Sequence, residues 1–145
     1  MDNTAKTIEE RKQEIIQMML EGGIREENQR YGEFIIQTNK VQFHLSALVI
    51  LRSGYPDKKF RDRVEVMTFG ALINLYNVCA GSGEGLLIKR LRSYKDCRDR
   101  LAHKMYGKHK LTKAECERAI AEGEQLAKAL KSLVAKIMPE WNRLN

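Results

Sequence analysis

The chain has 145 residues, 43% hydrophobic and 31% charged, a balance that fits one folded domain with a sizeable core and excludes a disordered tail. Its net charge is +7, and the longest unbroken apolar run, Ala47–Leu51, falls far short of the roughly 20 residues that cross a bilayer. Met1-Asp2-Asn3-Thr4 leads into charged residues without the apolar centre of a secretory signal, so membrane insertion and export are not expected.

Only two prolines occur, Pro56 and Pro139, and apolar alternation with period two is hard to find. The expected class is all-α, an up-and-down bundle of four to five helices over residues 1–145 as one domain. Thr4 or Thr7 caps a first helix, with Glu10 as capping-box partner of Thr7. Ile8, Ile15, Met18 and Met19 supply its apolar face, and Gly22-Gly23 reads as its stop. A second helix is expected from about Arg25 to Arg52, with Phe34, Val41, Leu45 and Leu48 as its buried stripe. His44 on this helix reads as a structural histidine. Ser53-Gly54-Tyr55-Pro56-Asp57 is a turn by composition.

A third helix is expected over about Lys59–Cys79, with Val64, Met67, Ala71, Leu75 and Val78 as its stripe. Asn74 and Asn77 on it read as satisfied structural amides. Gly81-Ser82-Gly83-Glu84-Gly85 ends this helix. It lacks the lysine-serine/threonine ending of a phosphate-binding loop and follows no strand, so nucleotide binding is not expected there. The fourth helix covers Leu86 to about His103, and Gly107–Thr112 is a loop. Thr112 caps the last helix with Glu115 as partner. That helix runs to about Met138, with Cys116, Ala119, Gly123, Leu126, Leu130, Leu133 and Ile137 inward, and Pro139 stops it.

Charge is concentrated in one stretch. Between Ile88 and Lys113, ten basic residues face only Asp96 and Asp99, so this segment carries +8 and the rest of the chain −1. Such a surface attracts polyanions and gains phosphate affinity by counterion release. The expected RNA-facing set is Lys89, Arg90, Arg92, Lys95, Arg100, Lys104 and Tyr106. Three cysteines without a C-x-x-C pair (Cys79, Cys97, Cys116) exclude a disulfide framework and suit a reducing cytoplasm. Neighbours among Cys97, His103, His109 and Cys116 are separated by five or six intervening residues, too evenly spread for a structural zinc site, so neither metal nor cofactor is expected.

Within the basic segment stands Arg98-Asp99-Arg100-Leu101-Ala102-His103. Arginine offers a fixed fork of donors for a phosphate, and histidine exchanges protons near neutral pH. Together they suffice to break a phosphodiester without a metal. Residues five apart on a helix lie about 140° apart around its axis. Convergence of Arg98 and His103 therefore needs the helix to fray near Ala102, or a second subunit. Asp99 and His103, four apart, share a face, which lets Asp99 orient the imidazole.

The string Cys97-Arg98-Asp99-Arg100-Leu101-Ala102-His103-Lys104 resembles the signature of HEPN-domain proteins: an arginine, a polar residue, three more residues and a histidine, late in a helical bundle. Phe69-Gly70-Ala71-Leu72-Ile73-Asn74 is similar to the helices that precede the motif in such proteins, and the likeness spans roughly Tyr31 to Leu133. The resemblance implies a homodimer in which both subunits contribute to one metal-independent endoribonuclease cleft, with RNA cut by its own 2′-hydroxyl. It assigns phosphate binding to Arg98, acid/base chemistry to His103 and positioning to Asp99, and it suggests a toxin or antiviral effector with a cognate antitoxin. Some toxin members carry a tyrosine two residues after the histidine that a partner nucleotidyltransferase modifies; here that place holds Met105, with Tyr106 one further on. The alternatives are a non-catalytic bundle that binds RNA or a protein partner through Ile88–Lys113, and a purely structural adaptor.

Overall fold

Thr7 opens the first element by accepting the Glu10 backbone N–H at 3.2 Å on its side-chain oxygen, as the capping-box spacing predicts. The helix it caps, α1, does not stop at Gly22-Gly23 but runs for 45 residues as Ile8–Arg52, a rod of roughly 67 Å. The two helices expected here are therefore one. Glycine weakens a helix by about 1 kcal/mol relative to alanine without removing its hydrogen bonds, and no proline or capping turn follows these two glycines. The helix ends where Ser53 returns its hydroxyl to the Val49 carbonyl at 2.7 Å and Gly54 takes a φ of 79°.

The computed structural model describes residues 7–54, 57–105 and 112–138, with the backbone alone for 19–28 and 102–105. The expected helix over Lys59–Cys79 is two helices, α2 (Lys58–Glu65) and α3 (Phe69–Cys79). Asp57 caps α2 through the Phe60 N–H, and Thr68 caps α3 through the Ala71 N–H at 3.3 Å. The break resets the helical phase. Val64 stays buried, whereas Ala71 and Val78 are exposed, and the inward face of α3 is Phe69, Leu72, Ile73 and Tyr76. Asn74 and Asn77 are exposed, so they are not amides of the core.

Gly83, with φ 89°, carries the chain through the glycine-rich turn into α4 (Gly85–Met105). Thr112 then caps α5 (Lys113–Ile137) through the Glu115 N–H at 3.1 Å, again as its spacing predicts. The protein is all-α: the described residues form five helices and no strand. The expected stripe Phe34, Val41, Leu45 and Leu48 is buried, and so are Cys116, Ala119, Gly123, Leu126 and Leu130. Leu133 and Ile137 pack only partly against this core; Pro139 lies outside the described residues.

The second half of α1 lies along α5 and α3, and α4 fits between α3 and α5. Its stretch Gln29–Arg52 is long and apolar enough to cross a membrane, more so than the five-residue run alone suggests; a third of it is buried within the chain, and core helices pass the same test. Helices pack tightly at Gly123 of α5, where an added Cβ would sit 2.7 Å from the Tyr94 hydroxyl and 2.9 Å from Gln37 Cβ. Gly123→Ala should thus lower stability by about 1–3 kcal/mol through overpacking. Gly32→Ala in α1, where nothing lies within 4 Å, should raise it by about 0.4–1 kcal/mol. Urea unfolding of the two variants, with opposite shifts in midpoint, checks both.

Candidate nucleic-acid interface

The apolar residues Ile88, Leu91, Tyr94 and Leu101 turn one side of α4 inward and leave its basic residues on the flanks. Arg98, about a third exposed, reaches across to α3, where its guanidinium carbon lies 5.7 Å from the Phe69 ring centroid. Its Nε and Nη2 donate to Asp99 Oδ1 at 3.3 and 3.0 Å. Lys95 Nζ donates to Asp99 Oδ2 at 2.6 Å. The Lys95 stem lies over Gly70 of α3, where a Cβ would come within 2.8 Å of Lys95 Cε. One carboxylate thus clasps two cations on the α3–α4 edge.

Asp99 is held below the usual carboxylate range, chiefly by the Lys95 hydrogen bond, which outweighs the opposing effect of burial, and Arg98 adds to the depression. Both its oxygens are engaged by cations, so in this arrangement it positions Arg98 and Lys95. Arginine carries five N–H donors, and Asp99 takes two of those of Arg98, which leaves three for a phosphate.

The helix α4 continues without a break through Ala102 to Met105. Positions 98 and 103 are therefore about 140° apart around its axis, and fraying at Ala102 does not bring them together. The His103 and Lys104 side chains, and all of Tyr106 and His109, fall outside the described residues.

The remaining cations divide between two flanks. Lys89, Arg90 and Arg100 face a groove of about 730 Å³ between α4 and α5, joined there by Arg118 of α5, Glu115 and Glu122. Arg90 is tied to Glu122 at 3.1 Å. Arg92 lies on the other side, with Asp96 and Asn77 of α3, and Lys89 borders that side as well. The basic segment is thus not one face. Arg118 escaped the sequence reading because its contribution depends on how α5 is turned toward α4, and nothing local marks it.

The sequence reading also missed a buried cluster at the start of α4. Glu84 is buried, accepts from the Tyr76 hydroxyl at 2.6 Å and pairs with the Arg52 guanidinium at the end of α1. Burial and the Glu84 hydrogen bond push the Tyr76 phenol well above its ordinary range. The signal was a glutamate inside a glycine-rich turn. Among the described residues no group of three histidine, cysteine, aspartate or glutamate side chains is placed to hold a metal. Comparison with protein-family models, curated proteins and solved structures yields no match.

The Asp99 clasp has a pH signature. A carboxyl depressed in the folded state stabilises it fully above the unfolded-state value of about 3.9, and that contribution fades as pH falls through the folded value. Wild-type protein should thus lose stability on acidification below about pH 4 more steeply than Asp99→Asn. Urea midpoints measured at successive pH values test this; identical slopes would mean that the clasp is not made in solution.

Proposed function

We propose that this protein is a metal-independent endoribonuclease of the HEPN type, working as a homodimer in the cytoplasm, with a toxin or antiviral role. The observation that carries the reading is the preset Arg98. It lies on the most basic helix of the chain, is fixed by Asp99 and Phe69, and keeps free donors for a phosphate. The unbroken course of α4 supports the dimer, because positions 98 and 103 of one chain lie about 140° apart around the same helix. A twofold axis beside α4 sets the Arg98 of one copy against the His103 of the other.

In this mechanism one His103 removes the proton of the RNA 2′-hydroxyl, and the oxygen attacks the adjacent phosphorus. Arg98 stabilises the charge that grows on the non-bridging oxygens. The 5′-oxygen leaves with a proton from the His103 of the second copy, giving a 2′,3′-cyclic phosphate and a 5′-hydroxyl. Lys95 shares the Asp99 carboxylate with Arg98, and the RNA strand extends over Lys89, Arg90 and Arg100 toward Arg118, with Arg92 on its flank; Lys104 and Tyr106 are the further contacts the sequence offers. A cognate antitoxin or a nucleotidyltransferase would act on the same edge of α4.

A second reading, a non-catalytic bundle that binds RNA or a protein through its basic helix, is favoured by one observation. The groove between α4 and α5, where Lys89, Arg90, Arg100 and Arg118 gather, does not include Arg98.

Cleavage assays separate the two. RNA should be cut with EDTA present, DNA should survive, and the products should end in cyclic phosphate. His103→Ala should lower the rate by about 10²–10⁴-fold without unfolding, and Arg98→Ala similarly, while His109→Ala should be mild. Purified protein that never cuts RNA, or both variants cutting normally, returns the second reading. Light scattering should report a dimer at micromolar concentration; a monomer would remove the composite site.

Under either reading RNA affinity should fall with salt, with a slope of about −0.7 per phosphate contact for a single strand. Replacing Lys89, Arg90 and Arg92 together by alanine should flatten that slope. An unchanged slope would mean that these side chains only solubilise the helix.

A further inference from the structure

Helix α1 carries an apolar residue at seven-residue intervals near both of its ends. Ile8, Ile15, Ile36, Phe43 and Ile50 fall on one such series, and Gly22 and Gln29 fill its two remaining places. A strict seven-residue repeat drifts about 20° per heptad around a straight helix, so a second helix follows it by coiling left-handedly. Among the described residues this stripe is left largely uncovered. Ile8, Ile15, Ile36 and Phe43 are each more than half exposed, and Gln29 is exposed with them. Phe34, Val41, Leu45 and Leu48, which α1 gives to the core, lie on a different side.

The two ends of the stripe have different surroundings. Every residue of 8–18 is exposed, so this stretch of α1 has no packed side and little but its own hydrogen bonds to hold it. At the other end, Phe43, Ala47 and Ile50 line a furrow of about 450 Å³ with Met67 and with Leu72 of α3. The neighbouring α2 carries Lys58, Lys59, Arg61 and Arg63 against Asp62 and Glu65, whereas α1 opens on Glu9 and Glu10 before Arg11 and Lys12. One end is thus an apolar ridge with an acidic first turn, and the other a furrow with a basic border.

The series is symmetric about Gln29, with three places on either side. Two copies of α1 laid antiparallel about that residue set Ile8 against Ile50, Ile15 against Phe43 and Gly22 against Ile36. The contacts are then the same in both directions, as a twofold interface requires. A parallel pair would set Phe43 against Phe43 and leave each furrow without a ridge. A polar residue at one seam position fixes the register at some cost in stability, and Gln29 stands at that place.

We propose that α1 is a self-docking surface, in which the exposed first stretch of each copy lies antiparallel in the furrow beside Phe43 of the other. The proposal goes beyond the nuclease reading and rests on no part of it. Helix α4 packs on α3 and α5, and α1 packs on the same two helices. The outward stripe of α1 is therefore separate from a twofold beside α4, and a chain using both contacts would assemble beyond the dimer as its concentration rises.

The test is cysteine cross-linking of the full-length protein carrying Cys79→Ser and Cys97→Ser, which leaves only the buried Cys116. On mild oxidation Gln29→Cys should give a covalent dimer, because its two thiols meet at the axis. Ile15→Cys alone and Phe43→Cys alone should give little. Each of those thiols stands about 42 Å along the helix from its twin in the other copy, and a disulfide needs Cα atoms within about 7 Å. Ile15→Cys combined with Phe43→Cys should give roughly ten-fold more dimer than either alone. Ile15→Glu added to Gln29→Cys should lower the yield steeply while circular dichroism keeps its helical signal.

No covalent dimer from Gln29→Cys would leave the stripe to another kind of partner and overturn the proposal. Efficient dimer from Ile15→Cys alone would make the pairing parallel and overturn the register. An unchanged yield with Ile15→Glu would move the contact off the stripe. None of these readouts involves RNA, Arg98 or His103, so the failure of this surface and the failure of the nuclease reading are distinguishable.

Discussion

Tyr94 brings its hydroxyl to 2.9 Å from Thr38 Oγ1 at the place where α1, α4 and α5 meet. Thr38 sends its own proton to the Phe34 carbonyl at 3.0 Å, which leaves the tyrosine to donate. Both hydroxyls are buried, and an unpaired buried hydroxyl costs more than the bond contributes. The ring is held between Phe34 and Phe69, and burial pushes the phenol up to about 12. Only a residue without a Cβ allows α5 this near, and Gly123 is that residue. Together these contacts set the rotation of α4 about its own axis.

The arrangement of the basic helix follows from that rotation. Arg98 is four residues beyond Tyr94, so it shares the same side of α4 and falls against Phe69, whose ring already packs edge-on to Tyr94. From Phe69 the contacts continue through Arg98 to Asp99 and Lys95, and from Lys95 back to Gly70. Arg90 and Arg100 are thereby turned toward α5 and Arg92 toward α3, with Lys89 bordering both sides. The start of the same helix is held by Glu84 between Tyr76 and Arg52. Gly81 leaves room for this pair, since a Cβ there would sit 2.9 Å from Arg52 Nη2. Removing one partner of so buried a pair strands the other charge, which gives a turn glutamate more weight than its sequence position suggests.

This division of charge bears on how RNA would be held. A helix that carried all its cations on one face would act as a uniform polyanion strip. Here one flank holds a guanidinium fixed by a carboxylate and an aromatic face, while the other opens into a groove with counter-charges from Glu115 and Glu122. Fixed donors suit a single phosphate in a defined position. A mixed groove suits a strand that must be held and then released.

Much of the architecture was legible from the sequence, because it rests on local physics. The caps at Thr7 and Thr112, the inward stripes of the second half of α1 and of α5, and the extent of the basic helix all follow from side chains acting on their own helix or on the nearest apolar face. The failures also have local causes: Gly22-Gly23 was read as a stop although glycine alone does not end a helix, and Thr68 was passed over as a cap inside a run that otherwise keeps helical spacing. The sequence by itself therefore determined an all-α chain with its charge on one helix and a candidate pair at Arg98 and His103. Only the tertiary structure decided which way the described cations of α4 face, that Asp99 serves Arg98 and Lys95, and that Arg118 joins a groove with residues distant in the chain. Those outcomes depend on the rotation of one helix against another, and that rotation is set by contacts such as Tyr94 with Thr38 and Gly123, whose members lie too far apart in the chain for any local pattern to pair them.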